Sequence, residues 1–252
     1  MPRFFLILSG VFLIFGGCQA DTIRIAVASN FSAAIKELVK QYQVGSPHEI
    51  KLSVASTGKH FAQIQHGAPF DIFFAADSKR PEILELSGIG IKNSRFTYAY
   101  GRLVLWSQAT TKVDDKGLIL QQADFKRLAI ANPKLAPYGA AAMDVLKHFK
   151  LNEKLRSKLV YGENISQAYH LVSSKNVELG FIAYSQLRQT TNGKTKPGHA
   201  SYWLVPESMH RPIEQQAIQL RKNNVVDDFI RFVKSHDGQN IIRSFGYSLE
   251  KQ

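Results

Sequence analysis

The chain has 252 residues, 44% of them hydrophobic, enough to bury one large core or two modest ones, which excludes disorder and collagen-like repetition. Its 32 Lys and Arg outnumber 20 Asp and Glu for a formal charge of +12, but the basic residues are scattered without a continuous stripe or stacked-aromatic motif, so nucleic acid is not an expected partner. A single cysteine, Cys18, excludes an intrachain disulfide and leaves stability to the core.

At the start, Arg3 precedes the apolar run Phe4–Phe15, and small residues follow up to Cys18-Gln19-Ala20. This pattern reads as a secretory signal over 1–20, too short to span a bilayer, and places the mature protein in the periplasm from about Asp21. The alternative is a lipid anchor at Cys18, because Phe15-Gly16-Gly17-Cys18 loosely resembles a lipoprotein box.

The period of the sequence changes at Ser29-Asn30. Ile23–Ala28 is an almost wholly apolar run, as in a parallel strand covered on both faces, and from Phe31 the apolar positions Ala34, Ile35, Leu38, Val39 and Tyr42 trace a helical stripe. Two readings of Ser29-Asn30 stand side by side at this point: side-chain capping of the helix, or a place where a helix N-terminus at the end of a strand holds an anion.

The alternation continues. Strands are expected over Ile50–Ala55, Phe70–Ala75, Leu128–Ala131, Lys158–Tyr161 and Leu179–Ala183, with helices after Ser56-Thr57-Gly58, from Arg80 to Leu86, after Tyr138-Gly139 and after Asn164-Ile165-Ser166-Gln167. Asn164 and Gln167 stand at capping-box spacing. The polar run Gln189–Ala200 reads as a surface loop, Tyr202–Val205 and Ile213–Leu220 as extended, and the chain closes in helices around Phe229 and Ile242. These elements imply an α/β architecture in two lobes, each a mainly parallel sheet flanked by helices, with a cleft between them. The long extended stretches near 96–106 and 208–218 are the expected crossings, which divides the chain into a discontinuous first lobe over 21–100 and 217–252 and an inserted second lobe over 101–216.

Four strand-to-helix junctions, two in each lobe, thus carry Ser29-Asn30, Ser56-Thr57-Gly58, Tyr138-Gly139 and Asn164-Ile165-Ser166-Gln167, with no Lys, Arg or carboxylate among them. Helix N-termini offer free N–H groups and partial positive charge, so four facing one cleft could hold a compact, unprotonated anion without a countercharge. The stretches "VASNFSAAIKEL", "SVASTGKHFAQIQHGAPFDIFFAADSKRPEIL", "NSRFTYAYGRLVLWS", "AIANPKLAPYGAAAMDVL", "ENISQA" and "SFGY" together resemble the periplasmic molybdate-binding proteins that feed ABC transporters, and the "NPxxAPYG" pattern is similar to the branch that binds molybdate and tungstate. That resemblance implies a type II periplasmic binding protein, monomeric, with no cofactor and no free metal cation, delivering its oxyanion to a membrane permease. It implies ligand contacts from Ser29 and Asn30, from Thr57 with Ser56 beside it, from Tyr138, and from the backbone N–H of Ile165. Ala183 stands where some members have a tyrosine on the strand; Tyr184, one place later, is expected on the opposite face and is left out.

Two other readings compete. A sulfate-like oxyanion carrier would share the architecture. A serine acyl hydrolase is suggested by Ser56-Thr57-Gly58-Lys59, an S-x-x-K match, but its companion motifs S-D-N and K-T-G are missing and the nearest approach is Lys194-Thr195-Lys196. Eight His are spread without a ligand motif, and Asp71 and Asp77 read as turn-capping or rim residues, since a carboxylate facing a dianion would repel it.

Overall fold

The computed structural model describes residues 21–190 and 200–250, without the side chains of 189 and 190. The expected signal over 1–20 with Cys18, and the Lys194-Thr195-Lys196 run, lie outside the described residues.

In chain order, β1 (Thr22–Ala28) leads through a 3-10 turn (Ser29–Phe31) into α1 (Ser32–Tyr42), and β2 (Glu49–Ala55) into α2 (Thr57–Gln65). Then come β3 (Ile72–Phe74), α3 (Lys79–Leu86), β4 (Phe96–Gly101) and β5 (Leu103–Ser107). The middle of the chain forms α4 (Ile119–Gln122), β6 (Leu128–Ala131), α5 (Pro137–His148), β7 (Leu159–Gly162), α6 (Ile165–Ser173), β8 (Leu179–Ala183) and α7 (Tyr184–Thr190). Last are β9 (Ser201–Leu204), β10 (Ile213–Gln219), α8 (Asn224–Lys234) and α9 (His236–Ser244).

These strands make two five-stranded sheets, ordered β2-β1-β3-β10-β4 and β7-β6-β8-β5-β9. In the first, β1 runs parallel to β2 and β3, while β10 is antiparallel to both its neighbours; in the second, β6 runs parallel to β7 and β8, while β5 is antiparallel to both of its own. Each sheet thus has one reversed strand, and in each it is the strand by which the chain arrives from the other lobe. The crossings are Arg102, between β4 and β5, and the segment between Leu204 and Ile213. The second comes earlier than the sequence suggests: β10 lies whole in the first sheet, and a division at 216/217 would cut it. Glu214, Gln215 and Gln216 break the apolar run that otherwise marks a buried strand, although Gln215 is fully buried. The helices at 119–122 and 184–190 are not expected from the sequence pattern.

Packing matches the expected faces. Ala34, Ile35, Leu38 and Val39 of α1 are buried against the first sheet, and Ala141, Ala142, Val145 and Leu146 of α5 against the second. Asn223 caps α8 through Val225 N–H at 2.8 Å, and Ser235 caps α9 through Gly238 N–H at 3.2 Å. Phe31 anchors the turn after β1. Its ring lies 4.5 Å from that of Tyr98, 5.4 Å from that of Tyr247 and 5.9 Å from that of Phe74, fully enclosed, so a cluster of aromatic side chains pins the turn from below. Replacing Phe31 with Ala should cost about 3–5 kcal/mol of stability, as a large side chain is removed from a site whose neighbours are themselves fixed; urea denaturation reads this directly as a lower midpoint at unchanged slope.

Candidate functional site

The carboxyl ends of β1, β2, β6 and β7 each open into a turn that starts a helix, and the turns of the two lobes face one another. Of the six residues singled out from sequence, Ser29 is the most accessible at 4%, so Ser29, Asn30, Ser56, Thr57, Tyr138 and Ile165 are all enclosed.

At the first turn the capping expectation fails. The N-cap position of α1 is Phe31, and neither Ser29 nor Asn30 caps it. Asn30 instead directs Nδ2 to Gln215 Oε1 at 2.7 Å and to the Tyr247 hydroxyl at 3.2 Å. Its carbonyl accepts from Tyr247 at 2.7 Å and from Ser185 Oγ at 3.2 Å, and the Ser29 carbonyl accepts from Ser166 Oγ at 3.3 Å. Ser185 and Ser166 belong to the second lobe, so this turn is held from across the cleft.

The second turn does cap its helix. Ser56 Oγ accepts from Lys59 N–H at 3.3 Å, and Thr57 Oγ1 accepts from Ala76 N–H, beyond β3, at 3.1 Å. Each hydroxyl uses lone pairs on the protein and keeps its proton to donate elsewhere. Gly58 N–H goes to Leu135 O of the other lobe at 2.8 Å, a contact that needs glycine, because a Cβ there would lie 2.9 Å from Leu135 Cα. The N–H of Thr57 is left outside its own cap.

The second lobe repeats this economy. Pro137 opens α5 and has no N–H, while Gly139 and Ala140 donate to Ala136 O, so the first N–H outside the cap is that of Tyr138. Asn164 Oδ1 takes the N–H groups of Ser166 at 3.0 Å and Gln167 at 3.1 Å, which leaves that of Ile165. Gln167 reaches back to Glu163 N–H at 2.7 Å, one residue before the expected capping-box partner.

Charge stays at the rim. Lys59 Nζ sits 3.2 Å from Glu163 across the mouth of the cleft, half exposed, and Arg80 pairs with Asp77 while donating to Lys134 O at 2.9 Å. Asp77 also accepts from Arg80 N–H in the first turn of α3 at 3.0 Å. Asp71 does not cap the turn that follows it; it accepts from Arg24 N–H of β1 at 2.7 Å. Among the described residues no group of three or more His, Cys, Asp or Glu could hold a metal ion.

Sequence reasoning missed the residues behind the turns. Tyr98 donates from its hydroxyl to Ala75 O at 3.0 Å and lies 3.0 Å from Gln215 Oε1; Gln215 Nε2 is 3.4 Å from the Tyr138 hydroxyl; and Tyr247 is 3.0 Å from Ser185 Oγ. Burial pushes the phenols of Tyr98, Tyr138 and Tyr247 above their ordinary range, so all three keep their protons. Tyr247 is visible in sequence as the last letter of "SFGY", and Gln215 as a polar break in a strand; neither signal names a partner. Tyr184, left out on the sequence pattern, lies under the Arg102 guanidinium at 5.0 Å and takes no hydrogen bond from this cluster.

Residues 23–248 match the family model described as bacterial extracellular solute-binding protein. The molybdate-binding protein ModA of Azotobacter vinelandii is 43% identical over 96% of this chain and 95% of its own length, and that of Rhodobacter capsulatus 38% identical over 92% and 90%. Among solved structures, the Azotobacter vinelandii periplasmic molybdate-binding protein superposes with a TM-score of 0.85 at 35% identity, covering 91% of this chain and all of that one.

Removing the α6 cap by Asn164→Ala should cost about 1 kcal/mol of stability in a thermal or urea melt, since two first-turn N–H groups lose their acceptor. Breaking the Lys59–Glu163 pair should cost less than about 1 kcal/mol in a double-mutant cycle, and about 1 M salt should erase the coupling, because both partners face solvent.

Proposed function

We propose, for a chain that belongs to the bacterial extracellular solute-binding proteins and within them to the molybdate-binding group, that it captures molybdate or tungstate between its lobes and presents it to the permease of an ABC transporter. One observation supports this reading of the cleft above all. In each lobe, capping bonds take the neighbouring N–H groups and leave donors spare: the N–H of Thr57, Tyr138 and Ile165, and the hydroxyl protons of Ser56 and Thr57. A site that can only donate suits a guest that can only accept, which is a fully ionised tetrahedral oxyanion.

Ser29 would add a hydroxyl from the first turn. Asn30, whose amide is engaged with Gln215 and Tyr247, would act chiefly through the backbone of its turn. No lysine or arginine side chain is hydrogen-bonded to any of the six residues among the described bonds, so affinity would rest on neutral donors worth more in an enclosed site than in water. Phosphate is disfavoured because its remaining proton would meet no acceptor. Sulfate has the charge and shape of molybdate, and only cavity size separates them. Catalysis is not part of this reading.

Calorimetric titration of protein beginning at Asp21 with molybdate, tungstate, sulfate and phosphate is the test. Tight uptake of the first two and little of the others is expected; sulfate bound as well as molybdate would make the protein a general carrier of such anions. Ser56→Ala and Thr57→Ala should each weaken molybdate binding by about 1–3 kcal/mol, because each deletes a donor that a desolvated oxygen needs.

A further inference from the structure

Gln215, on the strand that returns the chain to the first lobe, is wholly buried, and a buried amide is costly unless its donors and acceptor are paired. Its Oε1 accepts from Asn30 Nδ2 at 2.7 Å and lies 3.0 Å from the Tyr98 hydroxyl, whose one proton is shared between it and Ala75 O. With Asn30 Nδ2 also directed to the Tyr247 hydroxyl at 3.2 Å, a flipped Gln215 would set its NH2 against the NH2 of Asn30. Nε2 is thereby aimed at the Tyr138 hydroxyl, 3.4 Å away. Gly101 makes the meeting possible: a Cβ there would come within 2.2 Å of that hydroxyl and 2.7 Å of Gln215 Nε2.

Asn30 lies in the first lobe and Tyr138 in the second, and Gln215 bonds to both. We propose that Gln215 is a positioning residue that couples the two halves of the oxyanion site, holding the Asn30 turn in place and completing its contact with Tyr138 only when the lobes are together. The bond to Tyr138 is the longest of the three and the one that crosses between lobes, so it is the bond that opening breaks first. This inference rests on the reading of the cleft as an oxyanion site.

Two substitutions at Gln215 separate positioning from packing. Gln215→Met keeps the length of the side chain and removes every hydrogen bond. Gln215→Glu keeps an acceptor for Asn30, exchanges the donor to Tyr138 for an oxygen that can only accept while ionised, and puts a carboxylate beside the phenols of Tyr98 and Tyr138 and the amide of Asn30. The nearby charged side chains are engaged elsewhere, Arg95 with Gln216, Glu214 with Thr97 and Asp77 with Arg80, so no cation would keep that carboxylate ionised. Molybdate affinity and dissociation rate are measured for wild type and both variants between about pH 6 and pH 8, with unliganded melting temperature as the control for folding.

The expected result is about a tenfold or greater loss of affinity in Gln215→Met, carried mainly by faster dissociation. In Gln215→Glu a larger loss at the alkaline end should shrink towards the acid end as the carboxylate takes up a proton, while the wild-type profile stays flatter. Variants that melt lower yet bind molybdate with wild-type affinity and pH profile overturn the inference and leave the functional reading intact. Wild-type protein that takes up no molybdate overturns both. If Gln215→Met does not fold, Gln215→Glu decides alone through its pH profile.

Discussion

The cleft depends on three residues of backbone, the Ser29–Phe31 turn, held from two directions at once. Below it, the Phe31 ring is packed against Tyr98, Phe74 and Tyr247 in the first lobe. On its other side, its carbonyls accept hydroxyls of the second lobe, Ser166 on Ser29 and Ser185 on Asn30. In a turn of helical sense carbonyls point one way and N–H groups the other, so occupying the carbonyls also aims the amides. Phe31 cannot shift without disturbing the rings around it, and Asn30 cannot shift without breaking its bonds to Gln215 and Tyr247. The turn thus converts aromatic packing, which has no direction, into a fixed set of hydrogen-bonding vectors.

The same economy of donors recurs at the other turns and explains how a protein of net charge +12 keeps its enclosed site neutral. A lysine there would need desolvation compensated by a bound partner at all times, and would bind any anion that reached it. Capping side chains avoid that cost. Ser56 and Thr57 each accept one backbone N–H and so satisfy a helix or a strand end, and the proton they retain stays available in the low-dielectric interior. Positive charge is left at the rim, where Lys59 is held by Glu163 and Arg80 by Asp77. There it can draw small anions towards the mouth without contacting them.

The alternation of strands and helices was legible from period alone, because residues such as Ile35 and Leu38 bury themselves at positions local sequence dictates. The six turn residues were singled out through the resemblance and through their place at strand-to-helix junctions, and contacts such as Gly58 on Leu135 and Ser166 on Ser29 set those turns against one another across the cleft. What each side chain does there was less legible. Ser29-Asn30 looks like a cap in sequence and is none, because Asn30 finds Gln215 and Tyr247, 185 and 217 residues away, rather than its own helix. Ser185 carries no local signal and that of Gln215 names no partner, since their roles exist only once the two crossings bring the sheets together. The extended run over Ile213–Leu220 was legible, but the lobe boundary drawn at 216/217 falls inside β10. Within that strand Gln215 meets Asn30 of its own lobe and Tyr138 of the other, a role that only the fold shows.

The bonding between lobes also bears on closure. Among the described residues the contacts that join the lobes at the cleft are mostly neutral: Gly58 N–H on Leu135 O, Ser166 on Ser29, Ser185 on Asn30 and beside Tyr247, and Gln215 towards Tyr138, with the Arg80 guanidinium on Lys134 O and the exposed Lys59–Glu163 pair at the rim. Each neutral bond is worth about 1 kcal/mol net, because the open form would exchange it for water, and the ion pair less. Closed and open arrangements of the bare protein therefore differ by only a few such increments. A guest that takes N–H donors from Thr57 in one lobe and from Tyr138 and Ile165 in the other interacts with the closed form alone in that way, and a ligand shifts an equilibrium by just this differential affinity. Weak neutral contacts across the cleft and strong neutral contacts to the guest are then parts of one arrangement. The first keep the lobes near closure without fixing them there, and the second make closure depend on what has been captured.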